Sequence, residues 1–111
     1  MTATITRPEL EALIATEGVV VIDALPAAYF DQIHLPGALN LVDDDVEQLA
    51  PALLPDKGAT IVTYCSNESC GNSAAVAARL ERLGYTDVRK YRDGVQDWVA
   101  AGNPTESTRP A

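Results

Sequence analysis

Two cysteines, Cys65 and Cys70, are the only thiols of this 111-residue chain, and both lie in Thr60-Ile-Val-Thr-Tyr-Cys65-Ser-Asn-Glu-Ser-Cys70-Gly-Asn-Ser73. A β-branched, apolar run of strand type ends at Cys65. Small and polar residues follow, and then an alanine-rich helical pattern begins. Cys65 is therefore placed where a strand hands over to a helix. In an α/β protein that edge binds ligands, because backbone N–H groups of the turn and the positive end of the helix converge there. A thiol so placed has an electrostatic reason to ionise, and the thiolate is the nucleophile. Two cysteines alone supply too few ligands for a closed zinc site, and no glycine-rich phosphate loop or Ser-His-Asp order is present. The chemistry on offer is thiol chemistry, with no metal and no cofactor expected.

The elements that must position those thiols are legible in order. Thr6-Arg7-Pro8-Glu9 matches a capping box and opens a helix with Leu10, Leu13 and Ile14 on one face, closed by Gly18. Val19 to Asp23 is an apolar run without alternation, which suits a strand covered on both faces. Pro26 stops that strand and opens a short helix through Tyr29, Phe30 and Gln32. Ile33 to Ala38 reads as a turn around Pro36-Gly37, Leu39 to Val42 as a brief strand, and Asp43 to Leu54 as a helix interrupted by prolines. After the strand ending at Cys65, the spacing of Val76, Leu80 and Leu83 predicts a helix beginning near Asn72 and ended by Gly84. A fifth strand follows over Asp87 to Tyr91, and a last helix carries Val95, Trp98 and Val99. With Ala3 to Ile5 as first strand, the alternation predicts an α/β sandwich: a parallel sheet of about five strands with helices on both faces. One domain is expected over residues 1–104 and a loose tail over 105–111.

Composition narrows the partners. Apolar residues make up 47% of the chain and the net charge is −8, so nucleic acid and anionic membranes are poor partners. No apolar run reaches spanning length and no signal-like start is present, which leads to the expectation of a cytoplasmic protein. The cluster Asp43-Asp44-Asp45 is expected to be a solvated helix start, favoured by the helix dipole. Two close cysteines in a reducing compartment point to catalysis or redox chemistry rather than to a structural framework.

Four blocks, Val20-Val-Ile-Asp23, His34-Leu35-Pro36-Gly37-Ala38-Leu39-Asn40, the strand-terminal Cys65, and Asp93-Gly94-Val95-Gln-Asp-Trp98-Val-Ala-Ala-Gly102-Asn-Pro104, together resemble in order and spacing the signature of rhodanese-like domains. The resemblance runs from about Thr6 to Pro104. It implies a single-domain sulfurtransferase or persulfide carrier in which Cys65 attacks a sulfane sulfur donor, holds the sulfur as a persulfide and passes it to a thiol acceptor. It places Ser66, Asn67, Glu68, Ser69, Cys70 and Gly71 around the substrate, their amides stabilising the anionic persulfide. A monomer or weak dimer is expected.

The chain also departs from that pattern. Many single-domain members carry an arginine at the sixth loop position, which here is Cys70, and the usual arginine after the block ending in Asp23 is replaced by Ala24 and Leu25. The loop holds one anion, Glu68, and no cation. A carboxylate about 5 to 8 Å from an anionic substrate costs about 0.5 to 3 kcal/mol, so weak thiosulfate turnover is expected and a neutral or protein-bound persulfide donor is favoured. If their Cα atoms lie within about 7 Å, Cys70 is a candidate resolving thiol for a persulfide or sulfenate on Cys65. It reads equally as a small filler of the first helical turn. The alternative function is a non-catalytic redox-sensing or partner-docking module with a Cys65/Cys70 disulfide switch. An arsenate reductase or phosphatase of related fold would need a longer loop ending in arginine. His34 is expected to be structural and Asp23 to orient a neighbouring loop. Strand alternation points Tyr64 away from the side of Cys65.

Overall fold

The computed structural model describes residues 2–108. In it, β1 (Ala3–Thr4), β2 (Val20–Asp23), β3 (Leu39–Asn40), β4 (Thr60–Tyr64) and β5 (Asp87–Tyr91) form one parallel sheet in the order β1-β5-β4-β2-β3. The helices are α1 (Arg7–Ala15), α2 (Ala27–Gln32), α3 (Val46–Leu53), α4 (Asn72–Arg82) and α5 (Gly94–Ala100). Among the described residues no helix is long and apolar enough to cross a membrane.

Local chemistry accounts for several boundaries. Thr6 and Glu9 form the expected reciprocal cap at the start of α1: the Thr6 hydroxyl accepts from the Glu9 amide, and the Glu9 carboxylate accepts from the Thr6 amide. The stretch expected as one helix from Asp43 to Leu54 divides into a 3-10 turn over Asp43–Asp45 and α3, with Pro51 inside α3. Arg79 on α4 pairs with Asp43 and Glu47, which ties part of the acidic cluster to the neighbouring helix.

Strand alternation sorts the core into two layers. Ile22, Ile61 and Val88 face Val76, Leu80, Ala50 and Leu54, whereas Val21, Val62, Tyr64 and Tyr91 face Leu10, Val95 and Trp98. Each fully buried large side chain contributes about 1.5 to 3 kcal/mol of transfer free energy, and β4, the middle strand, feeds both layers. Thr63 donates to the Ser73 carbonyl on α4 (3.0 Å), while Tyr64 lies in the other layer. Cys65, two residues after Thr63, emerges on the α4 side, and Tyr64 on the opposite side, as alternation predicts.

Residues beyond Gly102, expected in part as a loose tail, are tied back as far as they are described. Trp98 Nε1 donates to the Pro104 carbonyl (2.8 Å), Glu106 pairs antiparallel with His34, and Thr108 bonds Asp31. His34 and Asp31 lie far off in sequence from Glu106 and Thr108, so local composition gave no sign of those two contacts. Residues 109–111 of that tail lie outside the described residues.

Two points of the fold bear directly on the loop after β4. Asp23 is fully buried and accepts from the Leu25 amide (2.8 Å) and the Tyr64 hydroxyl (2.7 Å), while Tyr64 accepts from the Leu35 amide (3.1 Å). This network fixes the bend after β2 beside the bend after β4. Gly94 begins α5 at φ +75°, and a Cβ there would stand 2.5 Å from the Cys65 carbonyl oxygen and 2.6 Å from the Ser66 carbonyl carbon and oxygen.

Gly94→Ala is expected to lose about 2 to 4 kcal/mol in urea unfolding, since both contacts are backbone and cannot yield cheaply. Gly102→Ala, with φ +81° and nothing within 4 Å, is expected to cost only about 1 kcal/mol. Equal costs would show that the close approach is unimportant. Tyr64→Phe should cost about 1 to 3 kcal/mol by orphaning buried partners. Burial holds the Asp23 carboxyl above its usual range, against the hydrogen bonds from Leu25 and Tyr64. Its contribution to stability is thus full below about pH 4 and declines as pH rises through the raised value. The lost hydroxyl had favoured the ionised form, so the deficit of the variant should be larger at pH 8 than at pH 4.5. A pH-independent deficit would contradict this assignment.

Candidate active site

Cys65 directly follows β4, and the chain then curls over residues 66–71 into the first turn of α4. Asn67 holds the curl: its carbonyl accepts from the Cys70 amide (3.1 Å) and its side-chain oxygen from the Ser69 amide (2.9 Å). Its amide group donates to Gln96 Oε1 (3.2 Å). From below, the Val95 amide donates to the Cys65 carbonyl (2.9 Å) and the Gln96 amide to the Ser66 carbonyl (3.0 Å). These two bonds need the approach that only glycine at position 94 allows.

Within this cradle Cys65 is 1% exposed. Its thiol lies 3.4 Å from the Cys70 carbonyl, to which it donates, and 3.5 Å from the Ser73 hydroxyl. Cys70 is partly exposed. Both thiols are free. Helix α4 starts after Gly71, which has no side chain to cap it, so first-turn amides are left for other acceptors. The Ser73 amide favours charge on Cys65, and the amides of Asn72 and Ser66 favour it on Cys70.

The electrostatics differ from the sequence expectation. Burial pushes the Cys65 thiol up, and its interaction with Cys70 pushes the same way; the Ser73 hydroxyl and amide oppose only in part. For Cys70, burial raises and is outweighed by the interaction with Cys65 and the amides of Asn72 and Ser66, so that its thiol is pulled down. The thiol with the electrostatic reason to ionise is therefore Cys70. The amides expected to gather around Cys65 are divided. Those of Ser69 and Cys70 are spent on Asn67, that of Ser66 faces Cys70, and that of Ser73 faces Cys65.

Of the other loop residues singled out from sequence, Glu68, Ser69 and Gly71 are exposed, while Ser66 and Asn67 are partly buried. Glu68 is met by Arg92, with Nη2 3.3 Å from Oε2 and both side chains about 60% exposed. The loop anion thus has a cationic neighbour 24 positions away in sequence, which no local pattern revealed. Ser73 was likewise missed, although its place in the first turn of a helix facing the strand-terminal thiol was a usable signal. His34 is structural: Nδ1 bonds the Phe30 carbonyl (2.8 Å) and the ring stacks on Phe30 at 3.9 Å. Among the described residues no group of three or more His, Cys, Asp or Glu side chains could hold a metal ion.

Comparison with known proteins adds the family. A family model described as the rhodanese-like domain matches residues 6–101. The HTH-type transcriptional regulator Rv0324 of Mycobacterium tuberculosis is 30% identical over 106 residues, covering 96% of this chain and 46% of that protein. The thiosulfate sulfurtransferase GlpE of Pseudomonas savastanoi pv. phaseolicola is 27% identical over 93 residues, covering 84% of each. The chain thus spans less than half of the first relative and most of the second. Among solved structures, the BH2092 protein of Bacillus halodurans superposes with a TM-score of 0.86 at 23% identity, over 96% of this chain and 78% of that one. A match of the family model over most of its length makes the chain a member of the rhodanese-like domain family.

Proposed function

We propose that this domain is a sulfurtransferase or persulfide carrier that moves sulfane sulfur through a persulfide on Cys65. The observation that carries the reading is the sheltered Cys65 sulfur at the uncapped start of α4, 3.4 Å from the Cys70 carbonyl and 3.5 Å from the Ser73 hydroxyl. A relative named as a thiosulfate sulfurtransferase supports the reaction class. The donor is a small or protein-bound persulfide and the acceptor a thiol.

Cys70, whose ionisation the amides of Asn72 and Ser66 favour, takes up as thiolate the proton of the Cys65 thiol. Cys65 then attacks the outer sulfur of a neutral donor persulfide, R–S–SH. The new bond joins Cys65 Sγ to that sulfur, the donor S–S bond breaks, and the departing thiolate takes the proton back from Cys70. Cys65–S–SH and R–SH result. In the second half-reaction an acceptor thiolate attacks the outer sulfur and restores Cys65. Cys70 thereby does as a base what an isolated, buried Cys65 cannot do for itself. Thiosulfate fits less well, because it carries two negative charges into a loop whose cationic neighbour, Arg92, is already engaged by Glu68.

Incubation with glutathione persulfide is expected to add about 32 Da to the Cys65 peptide by mass spectrometry, with thiosulfate loading it far more slowly. Absence of the adduct on Cys65 with both donors would overturn the proposal. Alkylation by iodoacetamide across pH 5 to 10, mapped by peptide, should label Cys70 at lower pH than Cys65. Labelling of Cys65 first would remove Cys70 as the base. Glu68→Gln, by freeing Arg92, is expected to raise kcat/KM for thiosulfate about 2- to 5-fold at low salt, an advantage that shrinks at high ionic strength. An unchanged value would separate Glu68 from donor choice.

A further inference from the structure

The burial of Cys65 makes the two sulfurs of its persulfide unequal. A persulfide offers two electrophilic positions. Attack on the outer sulfur moves it to the attacker, whereas attack on the inner sulfur forms a disulfide and expels sulfide. The inner sulfur is Cys65 Sγ, 1% exposed and walled by the Cys70 carbonyl at 3.4 Å and the Ser73 hydroxyl at 3.5 Å. An acceptor arriving from solution meets the outer sulfur. The one other thiol of the chain, Cys70, is inside the loop. The Asn67 turn accepts from the Cys70 amide at 3.1 Å and leaves the Cys70 carbonyl 3.4 Å from Cys65 Sγ, and each thiol shifts the ionisation of the other.

We infer that Cys70 is a resolving thiol which attacks the inner sulfur of the Cys65 persulfide, so that the domain releases sulfide and closes a Cys65–Cys70 disulfide. This inference rests on the persulfide reading above and adds a second outcome to it. The step balances within the loop. The Cys70 thiolate forms a bond to Cys65 Sγ, the Sγ–S bond of the persulfide breaks, and the outer sulfur departs as HS⁻ with the proton it carried. The outer, sulfane sulfur is reduced to sulfide, and the two cysteines are together oxidised by two electrons. A small-molecule or protein dithiol then reduces the disulfide by exchange and is itself oxidised. The domain would in this way couple a dithiol reductant to the conversion of persulfide into sulfide, in competition with transfer to an acceptor thiol. The arrangement also gives a use to the sixth loop position, where a cation for an anionic donor is lacking and a nucleophile is present.

The chain is loaded with glutathione persulfide, freed of excess donor by rapid desalting and kept without added thiol. Sulfide is trapped with monobromobimane, and the loop peptide is mapped without reduction. The wild type should release about one sulfide per loaded site and gain a loop peptide about 2 Da lighter than the dithiol, from which the 32 Da adduct has gone. Cys70→Ser, which also lacks the base, should load more slowly, and once loaded should keep the adduct and release no sulfide until an external thiol is added. A wild type that holds its adduct as long as Cys70→Ser does, or that releases sulfide without the Cys65–Cys70 linkage, overturns the resolving role and leaves the carrier standing. If neither protein acquires the adduct and the wild type gains no linkage, both readings fall. Mapping of the wild-type disulfide depends on no variant, and so remains decisive should Cys70→Ser fold poorly.

Discussion

The loop that carries both thiols has its shape imposed from beneath, by two amide–carbonyl hydrogen bonds from the start of α5. Val95 and Gln96 hold the carbonyls of Cys65 and Ser66, and a peptide unit whose oxygen is fixed has its N–H fixed as well. The Ser66 amide is in consequence turned toward Cys70. Gly94 makes this possible, because any Cβ would enter the backbone of the loop it supports. The rest of the sheet serves the same end. Parallel pairing of β4 with β2 and β5 brings three strand ends to one edge, and the Asp23–Tyr64 hydrogen bond locks the bends after two of them together.

Within that frame, the two sulfurs of the loop sit in different surroundings. Burial disfavours charge on Cys65. Main-chain donors and the neighbouring thiol favour it on Cys70, where there is partial contact with solvent. Two neighbouring thiols so placed titrate as a pair, and a proton moves between them at little cost in solvation.

Much of this was legible in the residues. The capping box at Thr6, the continuous apolar run at β2, the strand over Asp87–Tyr91 and the helix beginning at Asn72 follow from local periodicity and cap chemistry, and the structure has them at those places. The strand-to-helix placement of Cys65 was equally plain. What sequence could not convey was which thiol is more acidic, because that depends on depth and on the direction of individual N–H groups. Asn67 contributes to the second by taking up the Ser69 and Cys70 amides. The pairing of Glu68 with Arg92 and of His34 with Glu106 joins segments with no shared local pattern. Both became visible only once the chain had folded.

The missing side-chain cap on α4 ties the helix to the oxidation level of the sulfurs. A cap contributes about 0.5 to 2 kcal/mol to a helix, and here no side chain supplies one, while amides of the first turn favour charge on the nearby sulfurs. A change of charge at those atoms, from thiol to thiolate, alters how well the first turn is terminated. By reciprocity, the helix biases which state persists. The backbone of α4 is thereby a built-in gauge of sulfur chemistry, and through Arg79 and its acidic partners the reading extends to the turn before α3 on the flank of the domain.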